Sequence, residues 1–267
     1  MKILLTNDDG IYSEGIQILK KQLDNIAEVT VIAPDRERST IGHALTLRKP
    51  LRVRKVKING DFWGFSLDGT PADCVIIGLL EIMKDEKPDL IVSGINRGPN
   101  LGDDIFYSGT VSAAVEGAMR NVPSLAVSIA GFDDFKFDSA ALFTKKIAAN
   151  LMKNNLPSNL VLNINFPNID YEEIEGVEIT RHGKRVYQDE VKIIHDPQGT
   201  THYWLGGELP EGNIEPDTDF EAVYNNKVSI THLSLDLTNY QMIAKVKDWA
   251  KKWNFKWKDY SSEKLKR

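Results

Sequence analysis

The 267-residue sequence holds a single cysteine, Cys74, which excludes a disulfide framework and any zinc site built on several thiolates. No apolar run approaches the roughly 20 residues of a membrane span. The apolar stretch at the start stops at Asn7-Asp8-Asp9-Gly10, too short for the apolar region of a secretory signal. A cytoplasmic protein is the expectation, with no membrane partner. Excess positive charge is missing too: the formal net charge is −5. A chain of that sign has little with which to neutralise phosphates nonspecifically, so nucleic acid is not expected as a partner. No Gly-x-Gly-x-x-Gly follows the first strand, and Walker-type and Gly-x-Ser-x-Gly motifs are absent, which disfavours dinucleotide sites, P-loops and serine-hydrolase elbows. Histidine is sparse; His182, His195, His202 and His232 are scattered and read as structural.

What is present is an ordinary globular composition, 42% hydrophobic and 27% charged, which excludes wholesale disorder. The length suits one large domain, or a core with an appendage. Apolar runs at residues 2–6, 28–33, 89–93, 124–129 and 160–166 read as strands. Between them, 13–23, 70–83, 110–121 and 139–154 read as helices, with Ser13 and Thr70 as caps and Pro71 at a first helical position. Residues 45–58 and 62–67 alternate apolar with polar side chains around Asn59-Gly60, the signature of a hairpin. This β-α-β rhythm predicts an α/β fold: a three-layer, Rossmann-like, mostly parallel sheet with helices on both faces. After Pro167 the rhythm changes. Residues 178–207 read as hairpins, 219–237 as extended chain and 241–253 as a terminal helix. The predicted organisation is an α/β catalytic core over 1–170, with hairpin extensions and a C-terminal helix over 171–267 belonging to the same domain. From Lys245 onward nine Lys or Arg face three Asp or Glu, so the tail carries +6 and the remainder −11. A solvated basic helix face is the simple reading, and docking on an acidic neighbour the sharper one. Trp249, Trp253 and Trp257 form a stripe at helical spacing, a packing face.

In open α/β sheets ligands bind beyond the carboxyl ends of the strands. Three clusters stand there: Asn7-Asp8-Asp9-Gly10; Asp35-Arg36-Glu37-Arg38-Ser39; and Ser93 to Asn100 with Ser108-Gly109-Thr110 opening a helix. Adjacent carboxylates raise each other's pKa unless a cation neutralises them. The donors nearby are carboxylate, hydroxyl and carboxamide oxygens, which suit Mg²⁺ or Mn²⁺ rather than zinc. The small residues of Ser108-Gly109-Thr110 at a helix start suit an anion, phosphate above all. A plain turn at residues 7–10, and a helix requiring small residues only for packing, remain the alternatives for each cluster alone.

Together these residues resemble the SurE (survival protein E) family of metal-dependent nucleoside monophosphate phosphatases. The matching motifs are Ile3-Leu4-Leu5-Thr6-Asn7-Asp8-Asp9-Gly10; Ala33-Pro34-Asp35-Arg36 with Arg38-Ser39; Asp68-Gly69-Thr70-Pro71-Ala72-Asp73-Cys74; and Ser93-Gly94-Ile95-Asn96-Arg97-Gly98 leading to Tyr107-Ser108-Gly109-Thr110-Val111-Ser112-Ala113-Ala114. They keep family order and fill the first half of the chain; the second half matches in outline. The resemblance implies one divalent metal ion per subunit, Mg²⁺ or Mn²⁺, held by Asp8, Asp9, Ser39 and Asn96. It also implies hydrolysis of 5′- or 3′-nucleotides, with activity on short polyphosphate in some members. Homodimers or homotetramers that exchange C-terminal segments and hairpins are implied as well. The expected mechanism uses Asp8, Asp9 and Asn96 catalytically, with Thr40, Ser108, Gly109 and Thr110 holding phosphate oxygens through backbone amides. Two residues depart from the pattern: Thr40 stands where many members have glycine, and His232 where many have proline. A non-catalytic nucleotide- or phosphate-binding protein, or a metal-using transferase, is the alternative on the same scaffold. Paired Asp8-Asp9 speaks against the first.

Overall fold

The structure, a computed structural model, describes residues 1–253 apart from 152, 155, 187–188, 208–210 and 213. Trp257 and the basic residues of the tail beyond Trp253 lie outside the described residues. Two compact units emerge, Met1–Leu233 and Ser234–Arg267. No helix among the described residues is long and apolar enough to cross a membrane.

The first unit is built on a nine-stranded sheet. In chain order its strands are β1 (Lys2–Thr6), β2 (Glu28–Pro34), β3 (Val53–Ile58), β4 (Asp61–Leu67), β5 (Leu90–Arg97), β6 (Ser124–Ala130), β7 (Val161–Pro167), β8 (Val177–Thr180) and, after four strands outside the sheet, β13 (Val228–His232). Across the sheet the order is β3-β4-β2-β1-β5-β6-β7-β13-β8. The five strands from β2 to β7 in that order run parallel, as does the β2–β4 pair, while β3–β4 and β7–β13 are antiparallel. The expected α/β architecture is present. Strand β1 alternates its apolar side chains between two cores: Ile3 and Leu5 point to one, Leu4 to the other, as a period of two demands.

Helices α1 (Glu14–Leu23) and α4 (Phe137–Leu151) pack together on one side. On the other, α2 (Pro71–Ile77) packs against α3 (Gly109–Met119). The start of α2 is fixed by a reciprocal cap: Thr70 Oγ1 accepts the Asp73 N–H at 3.1 Å and the Asp73 carboxylate accepts the Thr70 N–H at 2.9 Å, with Pro71 in the first turn. The helix expected to reach residue 83 changes pitch at Gly78 and finishes as a π-helical segment, Gly78–Ile82.

Three further differences from the sequence reading have local causes. Strand β5 continues past residue 93, where the sequence reading ended it, to Arg97, through a cis Gly94–Ile95 peptide and a register shift against β6. Residues 45–52, read as the start of a strand, form none. Within the segment read as extended, Asp219–Tyr224 is a helix, α5. Its cap is Thr218, whose hydroxyl accepts the Glu221 N–H at 3.2 Å. Residues 178–207 do contain a hairpin, β10 (Asp189–His195) paired antiparallel with β11 (Thr201–Gly207); β9 (Arg185–Val186) and β12 (Glu211–Gly212) form a second small ribbon. In the second unit the terminal helix is α6 (Tyr240–Lys252), with Trp249 exposed on it and Trp253 exposed just after.

Candidate active site

Strand order reverses at β1: β2 lies on one side of it and β5 on the other. A crevice opens at such a switch point, beyond the carboxyl ends of the strands. Asp8 and Asp9 stand there. Asn7 shapes their turn from within, accepting the Gly10 N–H at 3.2 Å and donating to Gly10 O at 3.0 Å and Ser13 Oγ at 2.7 Å. Ser13 begins α1 without a side-chain cap bond, because its hydroxyl serves Asn7 instead.

The Asp8 carboxylate is buried, 4% exposed. It accepts the Thr110 N–H at 3.1 Å and also the Thr110 hydroxyl. Burial drives its pKa up to about 6, opposed by the Thr110 hydroxyl and reinforced by the charge of Asp9. Asp9 is likewise raised, chiefly by burial, with Arg97 pulling the other way. Arg97 supplies its Nε at 3.2 Å and its backbone N–H at 3.3 Å to the Asp9 carboxylate, and its guanidinium also lies 3.7 Å from Glu37. Two acids, Asp9 and Glu37, thus face one guanidinium, while Asp8 beside them is held by Thr110, and both Asp8 and Asp9 are shielded from water. The sequence placed Arg97 among the residues past a core strand and inside the Ser93–Gly98 motif, but gave it no role.

Asn96 is half-buried and donates from Nδ2 to Gly98 O at 2.9 Å, leaving its amide oxygen without a partner among the described residues. The Asn96–Arg97 peptide is the one whose N–H reaches Asp9, so Asn96 borders the carboxylate pair. Ser39 and Thr40 lie on the exposed lip. Their loop is tied to the site through the Arg38 N–H, 2.7 Å from Asp8 O, and the Ser39 hydroxyl donates to Glu37 at 2.6 Å. Thr40 has φ +56°, the left-handed region where glycine is at ease and a β-branched residue is strained.

At the start of α3, Ser108 Oγ accepts the Val111 N–H at 3.0 Å, and Thr110 gives its N–H to Asp8. The first-turn donor left without a partner among the described residues is Gly109 N–H. Gly109 also has no space for a side chain: a Cβ there would sit 2.8 Å from Asp8 Cβ and 3.2 Å from Pro71 Cγ. The helix start is pressed directly onto the acid. Asp8, Asp9, Asn96, Ser108, Gly109 and Thr110 therefore form one cluster, with Ser39 and Thr40 on its open side.

Oxygen donors dominate, and no group of three or more His, Cys, Asp or Glu gathers as metal ligands among the described residues. Two buried acids with an unpartnered amide oxygen and a hydroxyl at the rim fit a hard divalent cation, which prefers carboxylate, carbonyl and water oxygens.

Residues 3–189 match the family described as Survival protein SurE. The chain belongs to that family. A 5′-nucleotidase SurE of Aquifex aeolicus is 46% identical over 244 residues, covering 91% of this chain and 96% of the relative. Another, from Syntrophomonas wolfei, is 48% identical over 244 residues, covering 91% and 92%. The crystal structure of the SurE protein from Aquifex aeolicus superposes with a TM-score of 0.82 at 43% identity, covering 94% of this chain and 100% of that one. The SurE match spans the carboxylate pair, both flanking loops and the start of α3. His232, the second departure from the SurE pattern, is exposed at the end of β13, opposite Leu162 of β7.

Proposed function

We propose that this SurE-family chain is a metal-dependent phosphoric monoester hydrolase of the 5′-nucleotidase type, converting nucleoside monophosphates to nucleoside and phosphate. One observation carries this reading: two adjacent shielded carboxylates stand at the sheet's switch point, Asp8 held by a helix N-terminus and Asp9 by the Arg97 guanidinium. A protein that merely binds phosphate gains nothing from burying two acids where an anion must approach.

Asp8, Asp9, Ser39 and Asn96 would hold one Mg²⁺ or Mn²⁺, which when bound neutralises phosphate charge as a Lewis acid. The chain's own groups do the remainder. Gly109 N–H and the backbone amides near Thr40 hold phosphate oxygens, the N–H groups of Ser108 and Thr110 being already committed to Asp104 O and to Asp8. Asn96 orients the phosphate through its amide. Asp8, fixed by Thr110, orients the attacking water in line with the ester bond and takes up the proton that water gives up. Arg97 keeps Asp9 ionised and aimed. Activity on 3′-nucleotides and short polyphosphate belongs to the same proposal, since neither demands a different phosphate site.

The chain works as a homodimer or homotetramer in the cytoplasm, with the core over 1–170 and the remainder devoted to sheet completion and assembly. The β10–β11 hairpin supports this: Val191, Ile193, Tyr203 and Trp204 are all more than half exposed on it, an apolar surface that a second copy would cover. The test is phosphate release from a panel of nucleoside monophosphates with Mg²⁺, Mn²⁺ or chelator. The wild type should turn over only with metal. Asp9→Asn should lose metal-supported release by about a thousandfold with an unchanged melting temperature. Full turnover in chelator, or in Asp9→Asn without restored metal affinity, sinks the reading.

A further inference from the structure

A second charged feature lies on the same edge of the sheet, one to three strands from the acids. A cavity of about 260 Å³ opens at the carboxyl ends of β2 and β4, lined by Arg36, Lys49, Arg52 and Arg54 together with Asp35, Asp68 and Ser66. Neighbouring strands are spaced about 4.8 Å apart, so β4 lies about 10 Å from β1; at the β2 end the Arg36 backbone packs against Gly10, so the cavity adjoins the carboxylate cluster without sharing a side chain with it.

The cavity's charges are unequally committed. The Asp68 carboxylate accepts the Arg52 N–H at 2.8 Å, and Asp35 lies 3.5 Å from the Arg38 guanidinium. By contrast, the side chains of Arg36, Lys49, Arg52 and Arg54 make no hydrogen bond or ion pair among the described residues. Four free cations face two engaged acids, a surplus of two positive charges. Asp68 registers that field: its carboxyl is held below the ordinary range, first by the Arg52 N–H and then by the charges of Lys49 and Arg52. A simpler use of cations on β3 is to protect an edge strand from pairing with another sheet, and β3 is at the edge. That purpose would explain Arg54, Lys55 and Lys57 along β3. It does not explain cations converging on one concavity from the β2 exit, from the segment before β3 and from β3 itself, over Ser66, which is 6% exposed at its wall.

We propose that this cavity is a second anion site, separate from the carboxylate cluster, which takes a phosphate dianion carried on a small body. A phosphate monoester carries between one and a half and two negative charges near neutrality, matching the surplus. Guanidinium groups present forked donors suited to its oxygens. A cavity of 260 Å³ exceeds what a phosphate alone needs, since one water occupies about 30 Å³ of liquid, leaving room for a sugar-sized body. Inorganic phosphate and a sugar phosphate share the binding chemistry, and they separate in the test below. The site needs no metal, so it stands or falls independently of the hydrolytic reading.

The experiment is titration calorimetry on the full chain, in chelator, with Asp9→Asn in every sample to silence the carboxylate cluster. Inorganic phosphate and ribose 5-phosphate are the two probes. Binding of either, weakening as salt rises, is expected, with the sugar phosphate tighter if the body fills the cavity. Adding Arg52→Gln and Arg54→Gln should weaken binding by about tenfold per guanidinium. Adding Lys55→Gln and Lys57→Gln instead, which removes the same charge from β3 outside the cavity, should change it by less than about twofold. Equal weakening in both pairs would mean diffuse attraction to a charged edge and would overturn the proposal. So would the absence of binding to either probe at millimolar concentration.

Discussion

Two loops flank the acids, and they are built in opposite ways. The loop from Gly98 to Ser108, between β5 and α3, is clamped from below. Asn100 donates its N–H to Asn165 Oδ1 at 2.8 Å, and its carbonyl accepts the amides of Asn163 and Asn165 at 2.8 and 3.1 Å. Its own amide reaches Ser128 Oγ at 2.6 Å. Gly102 gives its N–H to Asp219 Oδ2 at 2.8 Å. The loop from Asp35 to Ala44, between β2 and β3, is mostly exposed. It is tacked down by Arg38 N–H on Asp8 O, by Gly42 N–H on Tyr107 O at 2.9 Å, and by His43 on the buried Glu116 at 2.8 Å. A rigid wall on one side and an open lip on the other is how a site keeps its reacting groups in place while admitting a substrate.

The comparison breaks most visibly at the wall. Gly109→Ala places a methyl 2.8 Å from Asp8 Cβ, so the acid or the helix must shift by several tenths of an ångström. Phosphate release should fall about a hundredfold while the melting temperature drops by only a few degrees; unchanged turnover would show that the wall yields. The next effect is on stability. Asp219 is fully buried, and its oxygens accept N–H bonds from Gly102, Gly183 and Phe220, with His182 Nδ1 at 3.5 Å. Burial raises its pKa, but His182 and the two glycine N–H groups outweigh burial and hold it below the ordinary aspartate range. A carboxylate depressed on folding adds stability that is complete above its unfolded pKa and lost as pH falls through the folded one. Asp219→Asn, which turns a donor toward those N–H groups, should cost about 2 kcal/mol at pH 7 by denaturant unfolding. That difference should shrink once the pH falls below the unfolded value. The smallest effect lies on the lip. Thr40→Gly relieves a left-handed conformation worth about 1–2 kcal/mol and returns about 0.4–1 kcal/mol through a freer unfolded chain. Stability should rise by no more than about 1.6 kcal/mol, and any change in KM reports whether the threonine side chain crowds the phosphate.

Legibility in the sequence followed the same division. Strand ends and caps were visible because their causes are local: Asn7-Asp8-Asp9-Gly10 stops an apolar run, and Thr70-Pro71 opens a helix. The carboxylate cluster was visible as residue types, but its partners were not. Arg97 meets Asp9 across 88 positions, Thr110 meets Asp8 across 102, and Gly102 meets Asp219 across 117. Pairings over such separations are set by strand order, which no local pattern encodes. Helix α5 was missed for a different reason. It is only six residues long, too short for its periodicity to stand out among the aromatic and β-branched residues around it. The basic cavity was not legible as a site, although Asp35, Arg36 and Asp68 stood in motifs, because its cations come from separate segments whose meeting depends on β3 folding back over β4.

The position of β1 inside the sheet has one more consequence, for the order of events during synthesis. The acids at residues 8 and 9 leave the ribosome well before the groups that enclose them. Strand β5, which lies beside them, and Thr110, which bonds Asp8, follow roughly ninety to a hundred positions later. Until that length has emerged, Asp8 and Asp9 are ordinary hydrated aspartates with nothing to enclose them. Their shared environment comes into being only when the chain's middle third closes over its beginning.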